Sequence, residues 1–410
     1  MTKVLRIMIS VDPLGGGPIE GVAQITNAWR KLGHVHDVVT MDPPDAPFLL
    51  EFPGTVIPLG SPGSLVPQGN GRIWERFGYT PGAVRWIKRN IHHYDAAIVS
   101  GLWNYAAMAA RFGLTGSGVP YFVFTHGMLD PWERESKPAK HQLKRILWVF
   151  NEGVLLRNAA SVLFTSEEEM LRARGMFWPY KFKGRVVSYG AADAMGPANE
   201  LSAEFRRSMP ALGMRDYFLF LSRIHPKKGC DLLIRSFASF AARMPETDLV
   251  IAGPDQPGWS VELESLAKSL GISERIHWPG MVQGRTKWGA YHGATAFILP
   301  SHHENFGIVV AEAMAAGKPV LISDKINIWR EIATDGAGLV DTDDQAGTDR
   351  LFDRYLALNE GERERMGERA RDSYLSRFHI DRAALGLLEA VEAGTKNIDS
   401  ALPLRRAEQH

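Results

Sequence analysis

Residues 300–320, PSHHENFGIVVAEAMAAGKPV, decide the predicted fold. An apolar run at 294–299 precedes the polar part and a second follows at 319–322, each short enough for a buried strand. Residues 308–316 have the composition of a helix, and Gly317 is a typical C-terminal stop. The stretch therefore predicts a strand, a polar loop, a short helix and a second strand, which is the repeating unit of an α/β fold.

The start of this predicted helix has the features of an anion site. The backbone N–H groups near Phe306, Gly307 and Ile308 lack helical acceptors there, and Gly307 lets a ligand approach the backbone closely. Glu304 precedes the helix and Glu312 lies inside it. A nucleotide sugar could place its phosphates at the helix start and its hydroxyls at the two carboxylates. The alternative is two glutamates with no ligand.

The stretch resembles the Glu-X7-Glu signature of retaining GT-B glycosyltransferases. It contains Glu304, then seven residues that begin with Asn305-Phe306-Gly307, and then Glu312. The resemblance is strongest to the group 1 family (glycosyltransferase family 4) of bacterial polysaccharide assembly. It implies two Rossmann-like α/β domains facing each other across a cleft, with a C-terminal helix crossing back to the first domain. The expected ranges are 1–195 for the acceptor-side domain, 196–378 for the nucleotide-sugar domain, and 379–410 for the crossing helix and a mobile tail.

Composition is that of an ordinary globular protein with room for two cores. The chain has 410 residues, 45% of them hydrophobic and 23% charged, and its net charge of +1 gives no reason to expect nucleic acid. One cysteine, Cys230, excludes an intrachain disulfide and fits a reducing compartment. The N-terminus lacks the apolar core of a signal peptide, so we expect a cytoplasmic protein.

A glycine loop at 12–18, DPLGGGP, lies between a predicted strand at 4–11 and a predicted helix at 20–32. Counted from Gly15, the sixth position is Glu20, so the dinucleotide fingerprint fails and nicotinamide binding is disfavoured. In the resembled family, a Gly-Gly pair here approaches the donor phosphates and the acceptor, and Gly16 and Gly17 match it. A tight turn without a ligand is the alternative.

Two further strand ends carry candidate site residues. His126 follows a predicted strand at 121–125 and matches a family histidine near the donor sugar, although a structural histidine is the alternative. In the turn at 222–229, SRIHPKKG, an arginine and a lysine could neutralise a diphosphate leaving group. By resemblance these are Arg223 and Lys228, with Lys227 as an alternative to Lys228.

Residues 132–185 form a basic and aromatic segment with 11 Lys or Arg against 6 Asp or Glu. The segment predicts either a surface that docks on anionic lipid or a solvated helix face over an ordinary core. Its basic and aromatic residues include Trp132, Arg134, Lys137, Lys140, Lys144, Arg145, Trp148, Phe150 and Trp178.

The resemblance implies a retaining hexosyltransferase. Its donor would be a nucleotide diphosphate sugar, with GDP slightly favoured over UDP and mannose as the candidate sugar. Its acceptor would be a glycan or lipid-linked glycan of lipopolysaccharide or exopolysaccharide synthesis. We expect no cofactor and no metal: we interpret Asp341-Thr342-Asp343 as a solvated loop, and His302-His303 as shaping the pocket.

The resemblance assigns Arg223 and Lys228 to the diphosphate, Glu312 to the ribose hydroxyls and Glu304 to the sugar. Gly16, Gly17 and His126 would serve the acceptor side. Front-face displacement, with the departing phosphate taking the acceptor proton, is the preferred mechanism. Two alternatives stay open, a nucleotide-sugar hydrolase or epimerase of the same fold and a non-catalytic scaffold subunit. A nicotinamide oxidoreductase is a distant third.

Overall fold

The computed structural model describes residues 1–64, 77–131, 134, 138–255 and 258–407, without the side chains of 138–139 and 397–407. Trp132 and Lys137 of the basic and aromatic segment lie outside the described residues. The chain divides into two compact units, a first unit of Met1–Tyr189 with Ile380–His410 and a second unit of Gly190–His379. The ranges 1–195, 196–378 and 379–410 stay the predicted bounds of the domains.

The first unit is built on a parallel sheet of seven strands in the order β3-β2-β1-β4-β5-β6-β7. The central strands are buried on both faces, which explains their continuous apolar sequences. The strands are β1 Lys3–Met8, β2 Val35–Thr40, β3 Val56–Pro58, β4 Ala96–Ser100, β5 Tyr121–Phe124, β6 Ser161–Phe164 and β7 Gly184–Val186.

Helices connect these strands and cover the sheet. The last of them returns from the end of the chain: Trp29 Nε1 donates a hydrogen bond to the Ala384 carbonyl over 2.8 Å. The helices are α1 Gly17–Lys31, α2 Ala83–Asn90, α3 Tyr105–Leu114, α4 Pro138–Leu147, α5 Gly153–Asn158, α6 Glu167–Ala173 and α15 Ile380–Ala407.

Three helix boundaries are worth noting. A π-helical turn, Trp148–Glu152, lies between α4 and α5. Within the predicted C-terminal range 379–410, α15 is helical from Ile380 to Ala407. Helix α1 begins at Gly17, because Pro18 at its second position has a backbone angle suited to a helix start.

The second unit repeats the arrangement with six parallel strands in the order β10-β9-β8-β11-β12-β13. The expected α/β fold with two parallel sheets is therefore confirmed. The strands are β8 Asp216–Leu221, β9 Thr247–Ala252, β10 Ile276–Gly280, β11 Ala296–Leu299, β12 Val320–Ser323 and β13 Gly338–Asp341. The helices are α7 Ala198–Ser208, α8 Cys230–Ala241, α9 Ser260–Ser269, α10 Gly284–Gly293, α11 Ile308–Ala315, α12 Trp329–Asp335, α13 Gln345–Ala357 and α14 Glu360–Ser373.

Helices α7 and α10 pack with their backbones in close contact. A β-carbon added at Gly289 of α10 would lie 2.2 Å from the Leu201 carbonyl oxygen of α7. No side chain fits in that space, so the close packing of this helix pair depends on glycine.

We therefore predict that Gly289→Ala lowers the free energy of unfolding by about 2 kcal/mol or more, because the two helices must move apart. Urea denaturation of the full chain measures it. Gly386→Ala in α15 is the matched control: its added methyl would meet nothing within 4 Å. Alanine there should be neutral or stabilise by about 0.5–1 kcal/mol. Equal effects of the two substitutions would contradict the packing argument.

Candidate functional site

The site in the second unit is built from two loops at the carboxyl edge of its sheet. The first loop follows β8 and ends in a 3-10 turn, Pro226–Lys228, before Gly229. Gly229 has φ of +67°, and a β-carbon there would lie 2.3 Å from the Pro300 carbonyl oxygen at the end of β11. Glycine is thus required both for the turn and for the close approach of the second loop.

Polar contacts join the same two loops. The Lys227 carbonyl accepts hydrogen bonds from the Ser301 hydroxyl at 2.9 Å and from the His302 backbone N–H at 2.8 Å. Lys227 is thereby tied into the loop contact through its backbone. Lys228 sends its ammonium group to the Glu304 carboxylate in a short ion pair. Of the two lysines, it is Lys228 that contacts the Glu304 carboxylate.

Glu304 is held as a carboxylate by the charges around it. Burial alone would raise its pKa, but the Lys228 ammonium, and then the charges of His303 and Arg223, outweigh burial and leave the pKa below its usual value. The Lys228 side chain is 6% exposed and that of Glu304 is 23% exposed. Arg223, Lys228 and Glu304 therefore form one electrostatic cluster, and its role as a diphosphate and sugar site stays a prediction.

Helix α11 begins beside this cluster. Its N-cap is Gly307, in the left-handed conformation with φ of 74°, and the Val310 N–H donates to the Gly307 carbonyl over 2.8 Å. Phe306 is buried, and its ring packs edge-on against Phe378 at 5.7 Å between centroids. Asn305 accepts a hydrogen bond from the Asn327 amide at 3.3 Å. The predicted anion site at Ile308 thus lies at a helix start whose two preceding contacts are the Phe306 ring packing and the Asn305 hydrogen bond.

Glu312 lies on α11 with its carboxylate already bound by the protein. Lys287 Nζ lies 2.7 Å from one carboxylate oxygen and the Tyr291 hydroxyl 3.0 Å from the other. Both partners belong to α10, and the side chain is almost fully buried. Sequence reasoning missed Lys287 and Tyr291, because their i, i+4 spacing is that of any helix face. A ribose hydroxyl would have to share or displace these donors.

Other acidic and histidine side chains near the loops form ion pairs or hydrogen bonds with neighbouring side chains. His302 Nδ1 lies 2.9 Å from an Asp343 carboxylate oxygen, and Asp341 pairs with Arg350 and Arg354. Across the part of the chain that the structure describes, no group of three or more His, Cys, Asp or Glu side chains is arranged to hold a metal ion.

In the first unit, His126 lies two residues after β5 with φ of +48°, a strained angle for a residue other than glycine. Its ring stacks on Phe124 at 4.9 Å and meets the edge of Tyr189 at 6.1 Å. The Tyr189 hydroxyl donates to the carbonyls of Gly17 and Pro18. Tyr189 thereby connects His126 to the start of α1, which brings together the predicted Gly16, Gly17 and His126.

Burial, and then the charge of Arg6, lower the pKa of His126 to about 3. His126 is therefore a neutral imidazole at physiological pH, able to exchange hydrogen bonds but carrying no charge. The loop it stands on is held by Glu169, a buried carboxylate on α6 that sequence reasoning missed. Glu169 accepts hydrogen bonds from the Gly127 N–H at 2.7 Å and the Thr125 hydroxyl at 2.8 Å.

The ion pair in the second unit yields a prediction. Because the folded-state pKa of Glu304 is lowered, its ionised form stabilises the folded protein. This stabilisation is fully present above the unfolded-state pKa near 4.5 and is lost as pH falls through the folded-state pKa. In Lys228→Met, burial is opposed only by the charges of His303 and Arg223, so the pKa of Glu304 should rise and most of this acid-dependent loss should disappear. Unfolding free energies measured from pH 3 to 7 test this.

Lys227→Met removes an equal charge one residue away and serves as the control. We expect Lys228→Met to cost about 1–3 kcal/mol at pH 7, since it leaves a largely buried carboxylate without its cation. The Lys227 variant should keep the wild-type pH profile. Matching profiles for the wild type and Lys228→Met would show that the ion pair does not set the charge of Glu304.

Two family models together match most of the chain. Residues 202–373 match the model described as glycosyl transferases group 1, and residues 16–190 match the glycosyl transferase 4-like domain. Mannosylfructose-phosphate synthase of Agrobacterium fabrum is 33% identical over 348 residues, covering 78% of this chain and 75% of the relative. A D-inositol 3-phosphate glycosyltransferase of Frankia alni is 34% identical, over 36% of this chain and 40% of its own length. The matches to several other curated relatives likewise span less than half of those proteins.

Solved structures share the fold across nearly the whole chain. Anabaena Alr3699/HepE, crystallised with UDP and glucose, has a TM-score of 0.72 at 16% identity, covering 96% of this chain and 100% of that one. Sucrose-phosphate synthase of Thermosynechococcus elongatus has a TM-score of 0.75 at 19% identity, over 95% and 98%. Within the described residues, the structure has no helix both long and apolar enough to traverse a lipid bilayer. With both units matched by family models and one relative matched over three quarters of its length, the chain belongs to the group 1 glycosyltransferases.

Proposed function

We propose that the protein is a retaining hexosyltransferase that moves a sugar, with mannose as first candidate, from a nucleotide diphosphate sugar to a glycan or lipid-linked acceptor. The observation that carries this proposal is the Arg223, Lys228 and Glu304 cluster in front of helix α11. Two cations and a helix start beside one carboxylate suit a diphosphate attached to a sugar. We place the reaction in the cytoplasm, in lipopolysaccharide or exopolysaccharide synthesis.

The proposed roles follow the chemistry of each group. Arg223 and Lys228 bind the diphosphate and neutralise its charge as the glycosidic bond breaks, without a metal ion. Glu304 faces the sugar, and Glu312 accepts the ribose hydroxyls. The loop from Asn305 to Ile308, with Phe306 and Gly307, presents backbone N–H groups to the phosphates.

Gly16, Gly17 and His126 of the first unit serve the acceptor. Since His126 is neutral, we assign it hydrogen bonding and leave proton transfer to the departing phosphate, which takes the acceptor proton in a front-face displacement. GDP is our first choice of nucleotide and UDP the second. The UDP-bound state of Anabaena HepE, a structural neighbour, supports testing both.

The donor site is tested by calorimetric titration with GDP and UDP. We expect one nucleotide to bind tightly and Lys228→Met to weaken it by tenfold or more, because a charge-assisted contact is lost. The ribose role of Glu312 is tested by comparing the preferred nucleotide with its 2′-deoxy form in wild type and Glu312→Ala. If Glu312 accepts that hydroxyl, the deoxy form should lose affinity in the wild type only.

Activity is then measured with the matching nucleotide sugars in EDTA, where undiminished turnover is expected. Binding of neither nucleotide would overturn the enzyme proposal in favour of a scaffold. Turnover that does not require an acceptor would instead indicate the hydrolase alternative.

A membrane-facing surface is a further part of the proposal. On α4 and the π-helical turn, three apolar side chains at helical spacing are exposed: Leu143, Ile146 and Phe150. Phe150 is 69% exposed, and Trp178, further along the chain, is 85% exposed. Exposed basic side chains flank them at Lys140, Arg145, Lys181, Lys183 and Arg185. Exposed apolar and exposed basic side chains in one segment of the chain suit an anionic bilayer surface, where a lipid-linked acceptor would lie.

We predict that the protein binds vesicles containing phosphatidylglycerol and that added salt weakens binding. The double variant Phe150→Ser/Trp178→Ser should lose at least tenfold in affinity in a flotation assay, since two large apolar side chains leave the interface. Leu50→Ser is the control, because Leu50 is 93% exposed but lies away from the basic and aromatic segment in sequence. Equal binding of neutral vesicles would contradict the role of the basic residues.

A further inference from the structure

A bulky side chain with a left-handed backbone lies just after β4 in the first unit. Trp103 has φ of +63°, an angle that residues other than glycine rarely adopt and that surrounding contacts must stabilise. Its backbone N–H donates to Glu152 Oε1 over 3.3 Å, and its indole Nε1 donates to the Met128 carbonyl over 3.3 Å. The π-helical turn and the loop after β5 therefore hold Trp103 in a conformation that it would rarely adopt alone.

This place is the carboxyl edge of the parallel sheet, where open α/β sheets bind ligands. Strands β4 and β5 are neighbours, and Met128 lies two residues after His126 in the loop that follows β5. Trp103 is only partly buried. It thus lies on a loop next to the one that carries the predicted acceptor residue His126.

Two buried polar side chains beside Trp103 have hydrogen-bonding capacity that the protein does not use. Glu152 is 2% exposed and Asn151 is 3% exposed. Asn151 Nδ2 donates to Glu152 Oε1 over 3.1 Å, but among the described residues Glu152 Oε2 and Asn151 Oδ1 have no hydrogen-bond partner. Buried oxygens without donors are unfavourable, so a molecule with O–H groups would complete this pair, directly or through an ordered water.

The charges around this pair favour an uncharged ligand. Lys144 on α4 is buried, and its ammonium group lies over the Trp103 ring at 4.7 Å from the centroid. Burial raises the pKa of the Glu152 carboxyl, and the Lys144 charge opposes that rise. Asp130, in the loop after β5, lies 3.7 Å from the Arg172 guanidinium. Each of these two acids therefore has a cation near it, which suits a neutral molecule better than a phosphate or a metal ion.

A purely structural cluster is the alternative, because Trp103 also packs on aromatic neighbours. Its ring centroid lies 5.2 Å from that of Phe177 and 6.4 Å from that of Trp148. Packing of this kind needs neither a left-handed backbone nor buried oxygens without donors. Both features cost stability and both occur at one place, which favours a ligand.

We propose that Trp103, Glu152 and Asn151 form a carbohydrate subsite of the first unit, which binds a pyranose ring of the acceptor. The exposed part of Trp103 contacts the C–H face of the ring, and the two oxygens accept hydrogen bonds from its hydroxyl groups, directly or through water. This inference deepens the proposed function and rests on it for the identity of the ligand as the acceptor. It makes Trp103 a specificity-determining residue apart from the Gly16–Gly17 loop.

The test uses the full chain and simple sugars as probes. Saturation-transfer NMR measures the binding of the methyl pyranosides of glucose, mannose, galactose and N-acetylglucosamine, with glycerol as an acyclic control. In protein labelled on tryptophan, the indole N–H signal of Trp103 is assigned by its absence in Trp103→Phe. We expect at least one pyranoside to bind and to shift that signal saturably, and glycerol to leave it unchanged. Binding of none of them would overturn the inference.

Two variants and a control test the named residues. Glu152→Gln should weaken pyranoside binding by about tenfold or more, because an amide replaces the carboxyl group that meets the hydroxyls. Glu167→Gln on α6 is the matched control: it changes an exposed acid of the same unit and should leave binding unchanged. Trp103→Gly removes the ring but suits the left-handed backbone, so it should fold and lose pyranoside binding, read from the sugar signals.

Equal affinity in Trp103→Gly and the wild type would overturn the subsite, and so would equal affinity in Glu152→Gln, since the proposal needs both groups. If Glu152→Gln does not fold, the comparison with Trp103→Gly decides. Failure of the proposed function looks different: pyranosides would bind but neither GDP nor UDP would. Nucleotide binding without pyranoside binding would overturn this inference alone.

Discussion

The contact between two loops at Gly229 and Pro300 is the constraint on which the candidate donor site depends. The loop after β8 can approach the loop after β11 only because residue 229 has no side chain and can adopt a left-handed backbone. With the loops in contact, the Lys227 carbonyl binds Ser301 and His302, and Lys228 reaches Glu304. A backbone constraint thus sets the geometry of an ion pair.

That ion pair explains how a largely buried carboxylate stays charged. Burial favours the neutral acid, but Lys228 and Arg223 favour the carboxylate and prevail. Glu312, on the same helix, is held in a similar way by Lys287 and Tyr291. Both carboxylates of the Glu-X7-Glu signature are therefore positioned by donors from other elements of the second unit.

In the first unit, Arg6 and His126 have uncharged hydrogen-bond and ring partners. His126 is kept neutral by burial and by Arg6, while Arg6 itself has neutral partners. Among the described residues, Arg6 forms no ion pair.

The sequence by itself determined the α/β class, because buried parallel strands need continuous apolar runs and glycines mark the turns that follow them. It also singled out Arg223, Lys228, Glu304 and Glu312, through the resemblance of the turn at 222–229 and of the Glu-X7-Glu stretch to a known family. Only the tertiary structure decided which lysine meets Glu304, that Lys287 and Tyr291 hold Glu312, that Glu169 supports the loop of His126, and that Arg6 forms no ion pair among the described residues. Those contacts join residues 21 to 94 positions apart or depend on burial, and local sequence patterns carry no information on either.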